Sequence, residues 1–300
     1  MLTYERYLMP ASIDEALEIA AAHQDSHRLL SGGTDLIPYS HEARSGDLQG
    51  TVLIDLSRIA NLRQVNVVGD RIEIGAGVTF SDFLESRLLR EWAPLLGQCA
   101  LQIADEQIRY MATIGGNIMH ASPAADGTVA LIALNAEVVL DSLWRGRRVR
   151  REVPLVDFIT GPNSTQRMDG EILTSVRCDA MGPEFGSAFY KIGRRRSLII
   201  AVASAAAVVR LSPDGASFAD VRLSVGAVSA VPARLRECEQ AVVGQPVSRA
   251  IISEAAELAR NMVSSRSRQA YRRDVVVAFV EEALIDAVSA IGGRVQVQHG

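Results

Sequence analysis

Two short segments of the sequence combine a pair of glycines with small polar residues. The first glycine loop, residues 29–36, reads LLSGGTDL, and the second glycine loop, residues 113–118, reads TIGGNI. Glycine lets the backbone approach a ligand without a clash from a Cβ atom, and consecutive N–H groups in such a turn bind anions. Each loop therefore predicts a phosphate-binding turn, with a simple turn between a strand and a loop as the alternative.

A carboxylate follows the second glycine loop at a spacing that suits the same ligand. Asp126 ends the segment ASPAAD, nine residues after Asn117, and carboxylate oxygens accept hydrogen bonds from sugar hydroxyls. Neither loop has the G-x-x-x-x-G-K-[ST] pattern of a P-loop. Gly75-Ala76-Gly77 begins like a Rossmann fingerprint, but Phe80 stands where the third glycine belongs. A tight turn is predicted there instead.

Composition bounds the class of protein. Of the 300 residues, 48% are hydrophobic and 22% are charged, which is typical of a globular chain with a real core. A net charge of −4 and only 5% aromatic residues argue against nucleic-acid binding. Cys99, Cys178 and Cys238 are odd in number and form no CxxC motif, so neither a disulfide framework nor an all-cysteine metal site follows. With no signal peptide and no apolar run of about 20 residues, a cytoplasmic protein without a membrane span is predicted.

The elements that would position these loops can be predicted from capping and periodicity. Ser12 with Glu15, and Thr79 with Asp82, are spaced as capping boxes at helix starts. Helices are also predicted over 94–104, 248–263 and 271–291, and strands over 28–31, 51–55, 64–68, 71–74, 137–140, 147–151, 171–177, 189–192, 198–210 and 221–228.

The order of these elements predicts a domain boundary near Met181. Strands and helices alternate before it, whereas strands precede helices after it. We expect a first domain over 1–180, a C-terminal domain over 181–292, and a disordered tail over 293–300. The first domain would itself divide into subdomains of about 1–56 and 57–180.

Five motifs together resemble one family. SGGTDL, TIGGN, ASPAAD, EILT and FYKIGRR occur in this order, and they resemble the FAD-binding medium subunits of the molybdenum hydroxylases, which include xanthine dehydrogenase and carbon monoxide dehydrogenase. The resemblance covers Leu2 to about Gly292. It implies an α+β fold of the vanillyl-alcohol-oxidase type, in which two α/β subdomains hold an extended FAD. A C-terminal α+β domain, an antiparallel sheet with helices, would close over the cofactor.

The resemblance also implies the residues that contact FAD. The first glycine loop would wrap the pyrophosphate with its N–H groups, and the second would hold it from the other side. Asp126 would bind ribose or ribityl hydroxyls, and Leu173 would lie near the adenine. No catalytic residue and no metal ligand is implied. The complete implied set is Leu29, Leu30, Ser31, Gly32, Gly33, Thr34, Asp35, Leu36, Ile103, Ile108, Thr113, Gly116, Asn117, Ser122, Pro123, Asp126, Ile172, Leu173 and Lys191.

The sequence departs from some family members at two positions. Ile103 stands where some carry an aromatic residue over the flavin, so dispersion would replace ring stacking. Leu198 stands where some carry an acid near the flavin, and arginines occupy 194–196. A positive field there would raise the flavin potential. The resemblance therefore leaves NAD, a quinone or oxygen open as the electron acceptor.

The implied function is electron transfer. Electrons would pass from two [2Fe–2S] clusters of a small partner subunit through FAD to an external acceptor. A large partner subunit would carry the molybdenum cofactor and oxidise the substrate, and the assembly would be a dimer of heterotrimers. A stand-alone flavin oxidoreductase, or an assembly or docking subunit without a redox role, remains the alternative.

Two further features are predicted to be surface. Arginines at 145, 147, 148, 150 and 151 lie on a predicted hairpin; a solvated face is slightly favoured over docking to an acidic partner. His120, beside the second glycine loop, is predicted to be solvated or to cap a helix.

Overall fold

A computed structural model of the chain describes residues 4–24, 26–41, 51–193, 200–265 and 267–296. The strands are β1 Tyr4–Leu8, β2 His27–Leu30, β3 Thr51–Asp55, β4 Val65–Val68, β5 Arg71–Gly75, β6 Glu137–Trp144, β7 Arg147–Pro154, β8 Ile159–Gly161, β9 Ser164–Thr165, β10 Ile172–Asp179, β11 Phe185–Gly193, β12 Ala201–Leu211, β13 Phe218–Gly226 and β14 Ala233–Arg234. The helices are α1 Ile13–Ala22, α2 Leu36–His41, α3 Phe80–Glu85, α4 Arg87–Trp92, α5 Pro94–Ala100, α6 Glu106–Met111, α7 Ile114–His120, α8 Asp126–Ala133, α9 Leu155–Phe158, α10 Arg236–Val242, α11 Arg249–Glu257 and α12 Gln269–Ala290.

Three sheets organise the described chain. The first has the order β1-β3-β2 with parallel pairs, and the second has the antiparallel order β4-β5-β10-β6-β7. The third, also antiparallel, has the order β11-β12-β13-β14, and β8 pairs with β9 separately. This architecture confirms the predicted α+β class and its antiparallel C-terminal sheet with helices.

The long apolar run of β12 reflects burial on both faces of the third sheet. Ala206 and Val208 belong to the core shared with the first two sheets, whereas Ala205 and Ala207 face the core beneath α12. A strand covered on both sides has no polar face, which is why the sequence lacks alternation there. The third sheet thus lies between the helices of the first part of the chain and those of the last part.

Helix starts and ends follow local chemistry more closely than periodicity. Thr79 and Asp82 form the complete capping box at the start of α3. Ser12 accepts the Glu15 N–H at 3.1 Å, but the Glu15 carboxylate accepts the N–H of Ala11. In a capping box the Glu15 carboxylate would accept the N–H of Ser12, so the observed bond is shifted by one residue. The helix predicted over 94–104 ends at Ala100, and the one predicted over 248–263 ends at Glu257 before a 3₁₀ turn at Leu258–Met262.

The arginine-rich hairpin β6–β7 is not simply a solvated face. Arg148 and Arg150 bind Asp141, whose side chain is fully buried, and Arg151 binds the buried Glu171. Their side chains are 31–43% exposed, so the predicted solvated face is present, but these three arginines also pair with buried carboxylates. Their charges offset buried carboxylates of the second sheet.

The predicted disordered tail is also ordered over 293–296. Val295 packs against the core beneath α12, and the backbone of Gln296 forms hydrogen bonds with Val247 and Arg249. Positions 297–300 lie outside the described residues. No helix in the described ranges is both long and apolar enough to span a membrane.

Candidate functional site

The first glycine loop follows β2 directly. Gly33 has φ = +70°, a left-handed conformation that glycine adopts without strain. A Cβ atom on Gly32 would lie 1.8 Å from the carbonyl oxygen of Met111, so only glycine allows this approach to the segment before the second loop. Within the described residues, the N–H groups of 32–35 donate to no backbone carbonyl. They are therefore available to an anionic ligand.

The second glycine loop is fixed by a cap and by a neighbouring turn. Thr113 accepts the Gly116 N–H at 3.1 Å, and the Gly115 N–H donates to the Ala76 carbonyl at 2.9 Å. A Cβ atom on Gly115 would lie 2.7 Å from that carbonyl oxygen. The Gly75–Gly77 segment, which superficially resembles a Rossmann fingerprint, thus supports the second loop.

Asn117 joins the second glycine loop to the start of α8. Its side-chain oxygen accepts the Thr128 N–H at 3.2 Å. A Cβ atom on Gly127 would lie 2.8 Å from the same oxygen. The residue implied as a cofactor contact is therefore also a link that fixes the position of Asp126.

A cavity of about 910 Å³ lies between the two loops and the third sheet. Seventeen of the nineteen implied contacts line it. They are Leu29, Leu30, Ser31, Gly32, Gly33, Thr34, Asp35, Leu36, Ile103, Ile108, Thr113, Gly116, Asn117, Ser122, Pro123, Asp126 and Lys191.

The other two implied contacts line a second cavity of about 540 Å³. Ile172 and Leu173 are buried at its wall, and Ala76 and Gly77 border it too. The two cavities adjoin, because both are lined by Leu29, Leu30, Ser31, Gly116, Met119 and Asn163. This arrangement suits an elongated ligand that passes over the glycine loops.

Asp126 and Lys191 form a buried ion pair at the main cavity. Their side chains are 7% and 5% exposed, and Lys191 Nζ lies 2.6 Å from Asp126 Oδ2 and 2.9 Å from the Gln102 carbonyl oxygen. Burial raises the pKa of Asp126, and attraction by the Lys191 ammonium only partly offsets that effect. Asp126 Oδ1 is buried and forms no hydrogen bond to any described residue. A ligand hydroxyl at Oδ1 would remove the cost of that unsatisfied acceptor.

Several cavity residues escaped the sequence reasoning. Asn163 has φ = +56° and donates its N–H to the Ala121 carbonyl, and the preceding Gly-Pro pair was the available signal. His120 Nδ1 lies 3.5 Å from Asp35 Oδ2, and its side chain is only 19% exposed. His120 is therefore only partly solvated, and its place in the last turn of α7 fits the predicted alternative of a histidine at a helix end. The missed lining residues of the main cavity are Phe80, Ala104, Ala112, Met119, His120, Asn163 and Ile200.

Ile103 is the position at which the resemblance implied an aliphatic residue in place of an aromatic one. Ile103 lines the cavity, and its carbonyl accepts a hydrogen bond from Arg109 Nη1 at 2.9 Å. The same nitrogen donates to the carbonyl of Ala104, which has φ = +45°. Arg109 therefore holds the backbone that presents Ile103. Leu198 and the arginines at 194–196 lie outside the described residues.

The donor set fits FAD. Free N–H groups at 32–35 suit a pyrophosphate, the unsatisfied Oδ1 of Asp126 suits a hydroxyl, and Ile103 and Ile108 offer apolar surface for a flat ring. The three cysteines are free and buried. No group of three or more His, Cys, Asp or Glu side chains that could hold a metal occurs in the part of the chain described.

Comparison with known proteins agrees with this chemistry. The family described as "FAD binding domain in molybdopterin dehydrogenase" matches residues 2–178, and "CO dehydrogenase flavoprotein C-terminal domain" matches residues 188–287. The glyceraldehyde dehydrogenase medium chain of Sulfolobus acidocaldarius is 30% identical over 281 residues, covering 92% of this chain and 96% of that protein. The xanthine dehydrogenase FAD-binding subunit of Escherichia coli O157:H7 is 28% identical, covering 99% of this chain and 100% of that protein.

A solved structure extends the similarity to the fold. The matching chain belongs to carbon monoxide dehydrogenase from Hydrogenophaga pseudoflava, in a form lacking the Mo-pyranopterin moiety of the molybdenum cofactor. Its TM-score is 0.88 at 28% identity, covering 97% of this chain and 99% of that chain. The chain therefore belongs to the family of FAD-binding medium subunits of the molybdopterin-dependent dehydrogenases.

Proposed function

We propose that this chain carries electrons through FAD within a molybdenum-containing hydroxylase or dehydrogenase, and that the nineteen implied residues are its cofactor contacts. The observation that carries the proposal is the convergence of seventeen of them, from four separate parts of the sequence, on one cavity. We also propose the division into domains over 1–180 and 181–292.

In this proposal the protein binds and orients the cofactor. The N–H groups of 32–35 receive the pyrophosphate, and Oδ1 of Asp126 receives a hydroxyl. Ile103 and Ile108 exclude water from one part of the cavity. Bound FAD would supply the conversion between single-electron and paired-electron transfer. No side chain of this chain needs to act as an acid or base on the organic substrate.

The electron source would be another subunit. Two [2Fe–2S] clusters require about eight thiolate ligands, whereas this chain has three cysteines, all buried and separate. A small subunit with the clusters and a large subunit with the molybdenum cofactor would complete a heterotrimer, and two heterotrimers would associate. The acceptor would be NAD, a quinone or oxygen. Free thiols suit the reducing cytoplasm.

The first test is cofactor binding by the full chain. Wild type should carry an absorbance band near about 450 nm and release FAD on acid treatment. Gly32→Ala should lose it, because the added Cβ atom would lie 1.8 Å from the Met111 carbonyl oxygen. Gly97→Ala is the matched control, since its Cβ atom would lie 3.5 Å from its nearest neighbour, the Phe83 carbonyl oxygen.

The second test is electron transfer. A reduced [2Fe–2S] subunit, mixed with the flavin-loaded chain without oxygen, should bleach the flavin band. A flavin that stays oxidised beside reduced clusters would refute the transfer role. Turnover of an organic substrate by this chain alone would favour a stand-alone oxidoreductase. A chain that stays colourless alone and with partners would favour an assembly subunit.

A further inference from the structure

Arg272, outside the cavity, is connected to it through two peptide groups. It lies in the first turn of α12, and its Nη1 atom donates to the Val202 carbonyl at 2.7 Å and to the Ala227 carbonyl. The Ala227 N–H donates in turn to the Pro123 carbonyl at 2.6 Å. Pro123 lines the main cavity.

Ala227 is held in an unusual conformation. Its φ is +62°, in the left-handed region that residues with a Cβ atom rarely adopt. The side chain is buried, and the residue follows the last position of β13. A non-glycine residue keeps such a conformation only where its surroundings enforce it. The hydrogen bond from Arg272 to the carbonyl of Ala227 is one contact that does so.

The approach of β13 to the cavity loop is close at the neighbouring residue as well. A Cβ atom on Gly226 would lie 2.5 Å from a methyl carbon of Val129 and 3.4 Å from the Pro123 carbonyl oxygen. Ser224 Oγ also donates to the Val129 carbonyl at 2.6 Å. The end of β13 is thus seated against the loop that leads into α8 and Asp126.

We propose that Arg272 is a positioning residue for the FAD site. By fixing the left-handed conformation of Ala227, it directs the Ala227 N–H at the Pro123 carbonyl and so holds the loop over 121–126 in place. That loop presents Ser122, Pro123 and Asp126 to the cavity. The inference rests on the proposed role of these residues as FAD contacts.

The test compares FAD affinity in variants of the full chain, at a temperature well below each variant's unfolding midpoint. Arg272→Ala should weaken FAD binding about tenfold, the effect of losing one charged hydrogen bond, and should change the fluorescence yield of the bound flavin. Arg273→Ala is the matched control, because Arg273 is the exposed neighbour on the same helix.

The conformational step has its own variant. Glycine adopts φ = +62° without strain, so Ala227→Gly should leave affinity unchanged and should restore most of it in combination with Arg272→Ala. Affinity that is unchanged in Arg272→Ala, or that Ala227→Gly does not restore, would overturn the proposal. Where Arg272→Ala does not fold, Ala227→Val replaces it as the test, because a β-branched residue disfavours φ = +62°. An unchanged FAD affinity of Ala227→Val would also overturn the proposal. A wild-type chain that takes up no FAD would overturn the proposed function along with it.

Discussion

Asp126 and Asp141 are both buried carboxylates with cationic partners, but their surroundings differ. Asp141 is fully buried in the second sheet and accepts hydrogen bonds from Arg148, Arg150 and the Thr174 hydroxyl. Among the charged groups of the described residues, Asp126 is paired with Lys191 alone, and one of its oxygens has no hydrogen bond to any of those residues. A buried polar group that is left incomplete indicates a ligand position, whereas a completed one indicates scaffold.

The pKa directions follow the same division. Burial acts to raise the pKa of Asp141, but the hydrogen bonds from Arg150, Arg148 and Thr174 together outweigh it, so the pKa lies below its ordinary value. At Asp126 burial prevails over Lys191, and the pKa lies above its ordinary value. The cavity acid is therefore the one whose charge the protein stabilises less well.

The largest expected effect comes from Asp126. Asp126→Asn leaves a buried ammonium at Lys191 without its partner, so it should cost about 3 kcal/mol of stability and weaken FAD binding about 10–100-fold. In Asp126→Asn/Lys191→Met the stability should recover, because removing both charges is nearly neutral, but FAD binding should not. Urea unfolding and FAD titration of both variants measure the two effects. Recovery of both together would mean that Asp126 is scaffold.

Asp141→Asn should have a smaller effect on stability and none on the cofactor. The partner arginines are 35% and 43% exposed, so they can turn toward water when the carboxylate is lost. We expect a loss of about 2 kcal/mol in urea unfolding with unchanged FAD affinity. Asp14→Asn is the matched control, since Asp14 contacts the same Arg148 but is 70% exposed; about 0.5 kcal/mol or less is expected there. Weaker FAD binding by Asp141→Asn would mean that Asp141 also supports the cofactor site, and the distinction between the two aspartates would fail.

The sequence carried the cavity well because its signals are local. Paired glycines, a capping threonine and an aspartate at fixed spacing can be recognised in one dimension. The full set of nineteen contacts was implied by the family resemblance, and seventeen of them line one cavity. The role of Ala76 as the acceptor beneath Gly115 could not be predicted, because it depends on two segments that meet only in the fold. The order of elements indicated a change of architecture near Met181, and the family resemblance implied the α+β class.

The arginine run shows what sequence reasoning missed. Five arginines in seven residues look like surface, since charge runs usually are. Three of them reach carboxylates that come from β6 and from the start of β10. The apolar neighbours of Asp141 in sequence gave no sign that two cations would cross to it. The ion pair of Asp126 could not be predicted either, because its partner Lys191 lies 65 residues away in the sequence.

Acid titration of stability should separate the two aspartates by sign. A carboxyl with a lowered native pKa, such as Asp141, contributes stability above the ordinary value near about 4 that is lost as pH falls through the native pKa. A carboxyl with a raised native pKa, such as Asp126, contributes stability below a pH of about 4, and that stability is lost as the pH rises through the native pKa. On acidification, the difference in unfolding free energy between wild type and Asp141→Asn should therefore shrink. The difference between wild type and Asp126→Asn should grow. Parallel slopes in urea unfolding between pH 3 and 7 would contradict this assignment.

The smallest effect is expected at the tip of the same hairpin that holds Asp141 near its middle. Trp144 is 66% exposed, and the Arg145 guanidinium lies 5.6 Å from its ring centre. Such an exposed contact contributes about 0.5–1 kcal/mol, so Trp144→Ala should lower stability by less than about 1 kcal/mol and leave FAD affinity unchanged. Val149→Ala, at a 44% exposed position of β7, is the matched control. A loss of stability at Trp144 as large as that at Asp141 would mean that the exposed tip contributes as much to stability as the buried middle of the hairpin, and that exposure is a poor guide to which part of this hairpin is scaffold.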